Sequence, residues 1–183
     1  LEAISIKVNN AKLNNISGGI AYATHVQTYG WSQGWKYNGA ASGTRGEGKR
    51  LEAIRIQLTG QLAQYYDVYY RVHAQSYGWL AWAANGAPAG TAGLAKRLEA
   101  IQIVIVKKGE SFDHAIGNIQ SARGEAYIAS STANANPVVT GENNVNVEYR
   151  THVQSFGWQG WKYNGMMSGT SGKAKRLEGI NIK

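Results

Sequence analysis

THVQTYGWSQGWKYNG (residues 24–39), VHAQSYGWLAWAANG (72–86) and THVQSFGWQGWKYNG (151–165) are three versions of one phrase. Each runs through a glycine-rich stretch into KRLEAI or KRLEGI, at 49–54, 96–101 and 175–180. The offset from His25 to His73 equals that from Trp31 to Trp79. The offsets from His73 to His152, Trp79 to Trp158 and Leu98 to Leu177 likewise agree with one another. Self-similarity of this kind marks a repeat architecture. A unit this small cannot bury its apolar side alone, so the copies must pack together, around a shared axis or in a line.

The periodicity is that of strands. Tyr149, Thr151 and Val153 alternate with Arg150, His152, Gln154 and Phe156, and the pattern recurs from Tyr22 and Tyr70. Ile54, Ile56 and Leu58 alternate with Ala53, Arg55 and Gln57, matched by Ile101, Ile103 and Ile105 and by Ile180 and Ile182. Asn38-Gly39, Asn85-Gly86 and Asn164-Gly165 supply the positive φ angles of tight turns. Each unit is expected to hold about four short strands. The expected fold is all-β, with three tandem repeats in a pseudo-threefold, β-prism-like assembly; a β-trefoil-like barrel is the alternative.

The chain is expected to form a single repeat domain over 1–183. Repeat one covers about 22–58, repeat two 69–106, an insertion 107–146, and repeat three 147–183. LEAI-type strands begin at Leu1, Leu51, Leu98 and Leu177, one more than the tryptophan phrases. Residues 1–8 are therefore an extra or closing strand, unless the chain was cut from a longer array. The insertion is rich in Ser, Asn, Ala and Gly, and reads as a hairpin around 126–130 and 137–140 or as a flexible loop.

Composition agrees: 23 Gly, 6 Trp and 11 Tyr against 2 Phe is a turn-rich, aromatic-rich profile. The net charge of +8 favours anionic surfaces. The basic clusters are Lys49-Arg50, Lys96-Arg97, Lys107-Lys108 and 173–176, and three of them hold one repeat position, which argues against nucleic acid. With no cysteine there is neither a disulfide nor a thiolate-bound metal. No apolar run reaches the roughly 20 residues that span a bilayer, so membrane insertion is not expected, and a leader would lie outside this sequence.

Catalytic and metal chemistry find little here. Three of the four histidines are repeat equivalents, and His114 beside Asp113 forms no ligand cluster. Ser111, Asp113 and His114 lack a nucleophile elbow. The SGTSG run at 168–172 lacks the Lys and helix of a phosphate loop. No enzyme activity, catalytic residue, metal or cofactor is expected.

Residues 149–180 resemble the clostridial hydrophobic repeat with conserved tryptophan, the ChW family, whose pattern looks like YRTHVQ-x-x-GWQ-x-W-x-x-x-G-x-x-SGTSG-x-x-x-RLEAI. The first copy departs in spacing Trp31 and Trp35 by three residues, and the second in carrying Ala-Gly-Thr at 89–91. The resemblance implies a bacterial, mostly Gram-positive, secreted or cell-surface protein with an interaction role. It carries no catalytic residues.

Strand alternation places His25, Gln27, Tyr29 and Trp31 on one face, and likewise His73, Gln75, Tyr77 and Trp79, and His152, Gln154, Phe156 and Trp158. A sugar ring stacks on indole while its hydroxyls pair with imidazole and amide groups. The second tryptophans Trp35, Trp82 and Trp161, with Tyr37 and Tyr163, extend the candidate ligand-binding set. The competing reading makes the first tryptophan of each pair core. Arg50 and Glu52, Arg97 and Glu99, and Arg176 and Glu178 read as structural ion pairs. The expected function is a non-catalytic, extracellular, carbohydrate-binding (lectin-like) module with up to three related sites. The alternative is a protein-interaction or cell-wall-anchoring module. The expected partner is thus a glycan or cell-surface polymer, or another surface protein.

Overall fold

Long apolar strands and tight turns give every unit the same hairpin. The computed structural model describes residues 2–8, 16–114, 124–130, 144–145, 148–163, 166–171 and 173–182. In chain order the strands are β1 (Ala3–Ile4), β2 (Gly18–Val26), β3 (Lys36–Tyr37), β4 (Ser42–Gly43), β5 (Leu51–Gly60), β6 (Tyr66–Ala74), β7 (Gly78–Trp79), β8 (Ala83–Ala84) and β9 (Ala89–Ala92). They continue with β10 (Leu98–Lys107), β11 (Tyr127–Ala129), β12 (Asn144–Val145), β13 (Glu148–Val153), β14 (Gly157–Trp158), β15 (Lys162–Tyr163), β16 (Ser168–Gly169) and β17 (Leu177–Ile182). One short helix, α1 (Leu62–Tyr65), links the first unit to the second.

The long antiparallel pairs are β2 with β5, β6 with β10, and β13 with β17. Each has a register shift next to the histidine-bearing position, where the strand bends into its turn. The Tyr two residues before each phrase, at 22, 70 and 149, is fully buried. Its hydroxyl donates to the carbonyl of Ala40, Ala87 and Met166 respectively, which fixes the glycine-rich return onto the hairpin. Asn38 and Asn85 have φ of 46° and 47°. Their side-chain oxygens accept from the amides of Ile20 and Val68, so the expected turns form. The Asn164-Gly165 turn lies outside the described residues.

The units join head to tail by one device. The short strand after each glycine-rich return adds to the outer edge of an LEA strand: Gly90 opposite Ala53, Gly169 opposite Ala100, and Gly43 opposite Ala3. These three glycines have φ of 125°, 123° and 120°. A Cβ there would meet the carbonyl oxygen of Glu52, Glu99 or Glu2 at 2.7 Å or less. Only glycine permits the approach. The N-terminal β1 thus acts as the LEA strand of a unit before the first.

The result is mostly β, in several antiparallel sheets that do not close into a barrel among the described residues. One contiguous apolar cluster draws Tyr22 and Ile54 from the first unit, Tyr70 and Ile103 from the second, and Tyr149 and Ile180 from the third. Ile4 and Ile6 belong to it as well, so the units share an interior.

Two details differ from the sequence reading. The strand does not run on past Val26, Ala74 or Val153; the next three residues form a turn. Thr28, Ser76 and Ser155 there take φ of 67–74°, which breaks the alternation the sequence suggested. In the second unit the face that carries Arg71 and Gln102 is covered too, since both are fully buried. Within the insertion, β11 pairs in parallel with β9. The expected partner at 137–140 lies outside the described residues.

Candidate functional site

The turn at Gln-Thr/Ser-Tyr/Phe reverses the chain, so the tryptophan returns opposite the histidine, with Trp79 across from His73 and Trp158 across from His152. His and Trp are therefore neighbours, although they do not share one continuous strand. The rings meet edge to face, with centroids 5.4, 5.6 and 5.4 Å apart in the three units. Behind each histidine stands a carboxylate from the LEA strand: His25 Nδ1 lies 3.2 Å from Glu52 Oε2, His73 Nδ1 3.2 Å from Glu99, and His152 Nδ1 3.3 Å from Glu178. The other carboxylate oxygen pairs with Arg50, Arg97 or Arg176 at 2.9–3.0 Å. The expected Arg–Glu pairs are thus present. The preceding lysine reaches back to the turn hydroxyl: Lys49 to Thr28, Lys96 to Ser76 and Lys175 to Ser155. Burial holds His25 below the usual imidazole range, against the opposing pull of Glu52.

A second set of arginines, not singled out by sequence reading, lies against the indoles. Arg71 sits between Trp79 at 5.3 Å and Trp82 at 4.6 Å, and Arg150 between Trp158 at 5.0 Å and Trp161 at 4.7 Å. The first unit has Ala23 at the corresponding position. There Arg55, directly across the strand pair from Ala23, packs on Trp31 at 4.4 Å. The arginine has changed strands while the cation–indole contact persists. Burial draws the Arg71 guanidinium down to about 10, which leaves it charged at neutral pH.

The second tryptophans are half-buried rather than free platforms. Trp82 Nε1 donates to the His114 carbonyl at 3.0 Å, and its ring stands edge-on to Phe112. Trp35 lies near Gly86 of the second unit. Tyr37 is exposed, and the side chain of Tyr163 lies outside those described. Gln27, Gln75 and Gln154 occupy the turns. Their backbone amides donate to the carbonyls of Arg50, Arg97 and Arg176, which ties each turn to the LEA strand.

The three His–Trp–Glu groups are chemically alike but not equally covered. Trp79 is 6% exposed and Trp158 is 48% exposed, with Trp31 between them. The Glu52 and Glu99 side chains are closed over, whereas that of Glu178 is 27% exposed. In the second unit, Ser171 of the third reaches across to His73 Nε2 at 3.2 Å. In the third unit the group opens onto a cleft of about 560 Å³. One wall is His152, Trp158 and residues 178–180, and the other is β1 with residues 41 and 44–46. β1 and β17 approach each other there without pairing among the described residues.

Residues 25–60, 73–107 and 152–183 match the profile of the Clostridial hydrophobic W (ChW) family. The chain belongs to the ChW family. Comparison with curated proteins and with solved structures found no match.

The repeated ChW positions accordingly divide by task. Tyr, Asn-Gly and Ser-Gly build and join the units. The Lys-Arg-Leu-Glu run, with the His and first Trp, forms the joint behind each LEA strand. Of the candidate ligand residues, the third unit brings His152 and Trp158 to an open cleft, with Glu178 and Gly179 beside them. The equivalents His25 and Trp31, and His73 and Trp79, lie at joints that are largely closed. Sequence alone does not mark the third unit as different. Gly179, standing where the other LEA strands have Ala3, Ala53 and Ala100, is the one hint. A Cβ there would press on Trp158 at 3.2 Å.

Proposed function

We propose that this chain is a non-catalytic binding module of a secreted or cell-surface protein, and that it takes a protein partner at the cleft beside the third ChW unit. The observation that carries this reading is the unequal cover of one repeated group. Where the first two units use their LEA edge, His and Trp to hold the next strand of the chain, the third has no such strand on that edge among the described residues, and the edge lines a cleft whose other wall is β1. An LEA edge with no second strand offers backbone donors and acceptors, and Trp158 adds apolar area at its margin. That is the chemistry of strand addition to a sheet edge. A cleft of about 560 Å³ is of a size that holds a peptide segment or a small ligand.

The arrangement we favour for the units is pseudo-threefold. Arg50, Arg97 and Arg176, equivalent residues of three units, line one small cavity together with Gln27 and Gln154. Convergence of equivalent side chains on one point fits units set around an axis better than units in a row.

The test is binding of the folded chain to immobilised bacterial surface proteins, comparing wild type with Trp158→Ala and Tyr37→Ala. Binding should weaken at least tenfold in the first variant and persist in the second. Loss in Tyr37→Ala with retention in Trp158→Ala would overturn this placement of the site.

A second reading, carbohydrate binding, rests on Trp158 itself: a half-exposed indole beside His152 and the Glu178 carboxylate suits a sugar ring and its hydroxyls. This reading calls for one open site instead of three. Affinity electrophoresis against cell-wall, host and plant polysaccharides checks it; retardation abolished by Trp158→Ala favours the sugar.

A further inference from the structure

Four LEA strands are present, and three of them carry a short strand on their outer edge. Ala3 and Ile4 face Gly43 and Ser42; Ala53 and Ile54 face Gly90 and Ala89; Ala100 and Ile101 face Gly169 and Ser168. The residue pairs coincide in register at all three joints. The occupant is always Ser/Ala-Gly-Thr, at 42–44, 89–91 and 168–170. Its glycine always has φ near 120° and always abuts the carbonyl of the LEA glutamate. The fourth edge, Gly179 and Ile180 of β17, pairs with β13 on its inner side but carries no such strand among the described residues. It lines the 560 Å³ cleft.

We infer that the outer edge of β17 is the acceptor for the Ser/Ala-Gly-Thr strand of a further ChW unit. This rests on the reading of the cleft as a protein-binding site and names its occupant. The three filled joints define the occupant closely. It must be extended, must put glycine opposite Gly179, and needs a small residue before that glycine. At the filled joints that small residue lies fully buried, as with Ser42, Ala89 and Ser168. Any L-residue in place of the glycine meets two obstacles: a φ that side chains rarely adopt and a contact with the glutamate carbonyl that no real Cβ shows. Among the described residues no segment fills this gap. The first unit's Ser42-Gly43 strand, the member of the set left over for β17, is held by β1, whose LEAISIK sequence closely matches the LEGINIK of the third unit. Two near-identical strands thus stand before one partner, and β1 has it.

The test uses the intact chain and a synthetic peptide with the sequence of residues 38–46, alongside the same peptide with Gly43→Ala. Trp158 lies at the cleft, so tryptophan fluorescence reports binding, and amide hydrogen exchange locates it. The glycine peptide is expected to shift the fluorescence saturably and to protect amides at 178–180. The alanine peptide should bind at least about tenfold more weakly, from the backbone strain alone. Equal binding of the two peptides, or protection elsewhere than 178–180, overturns the inference. If neither peptide binds while a surface protein still binds in a Trp158-dependent manner, the occupant is wrong and the cleft stands as the site. If Trp158→Ala changes no binding at all, the reading of the cleft fails as well.

Discussion

Thr24 and Ser42 meet hydroxyl to hydroxyl at 2.9 Å in a fully buried spot, and Thr151 and Ser168 do so at 3.0 Å. The second unit has Val72 and Ala89 there, so both hydroxyls are absent together. A buried hydroxyl left without its partner costs about 1–3 kcal/mol, whereas replacing both partners by apolar groups of similar shape is nearly neutral. Thr24→Val alone is therefore expected to lower stability by about 1–3 kcal/mol, and adding Ser42→Ala should restore most of it. Denaturant unfolding of the single and double variants checks this. His25 gives a pH-dependent counterpart. Its folded-state affinity for a proton is depressed by burial, with Glu52 pulling the other way and Arg55 reinforcing the depression. As pH falls below about 6.5, the unfolded chain takes up a proton that the folded chain resists. Stability contributed by this site is complete above that pH and declines below it. His25→Gln should flatten the fall in stability between pH 7 and pH 5, and an unchanged slope would count against the account. At this scale much was legible: the Arg–Glu pairs follow from their spacing, and the Asn-Gly turns from φ requirements. The guanidinium–indole contacts were not legible, because Arg55 replaces Arg71 and Arg150 from the opposite strand, and only the cross-strand register reveals the equivalence.

Among the elements, the long strands could be read directly because β-branched and aromatic residues recur with period 2. The place where that reading ran too far is instructive. His25, Gln27, Tyr29 and Trp31 alternate as a strand should, yet Thr28 at φ 74° and Gly30 at φ 60° turn the chain back on itself. Period alone does not separate a continuing strand from a tight return, and the clue was the glycine one residue before each first tryptophan. The short joining strands were invisible as strands because Ser-Gly-Thr has no apolar pattern; only the LEA edge they add to makes them so. That dependence makes their glycines vulnerable. At Gly90 a Cβ would lie 2.4 Å from the Glu52 carbonyl oxygen and 2.6 Å from Ala53 Cα, with φ at 125°. Gly90→Ala is expected to destabilise by more than about 2 kcal/mol, through strain and loss of the joint together. Gly46→Ala, with a positive φ but open space around it, should cost less. A thermal melt of both variants separates the two terms, and equal losses would show that backbone strain alone matters at Gly90.

For the molecule as a whole, the count of four LEA strands against three tryptophan phrases already raised the question of how the ends are used. It could not be answered from the sequence, since Leu1–Ile4 and Leu177–Ile180 are nearly the same words in different places. The structure separates them: β1 holds a joining strand and β17 holds none among the described residues, although both border the cleft. The shared interior has a thermodynamic consequence that a row of independent repeats would not. Ile103 of the second unit is fully buried in the same cluster as Tyr22, Ile54, Tyr149 and Ile180 of its neighbours. Removing its side chain to alanine is expected to cost about 2–5 kcal/mol. Because the cluster is continuous, that loss should lower the stability of all three units at once. Unfolding followed by tryptophan fluorescence and by far-ultraviolet dichroism should give one coincident transition in wild type, and Ile103→Ala should shift it as a unit to lower denaturant with its slope retained. If the variant instead splits the curve, with the second unit melting first and the others at their original midpoint, the units pack as neighbours without pooling their apolar sides. The joints at Gly43, Gly90 and Gly169 would then be local links between independent units, and the edge of β17 would be one more weak contact in place of the missing member of a cooperative set.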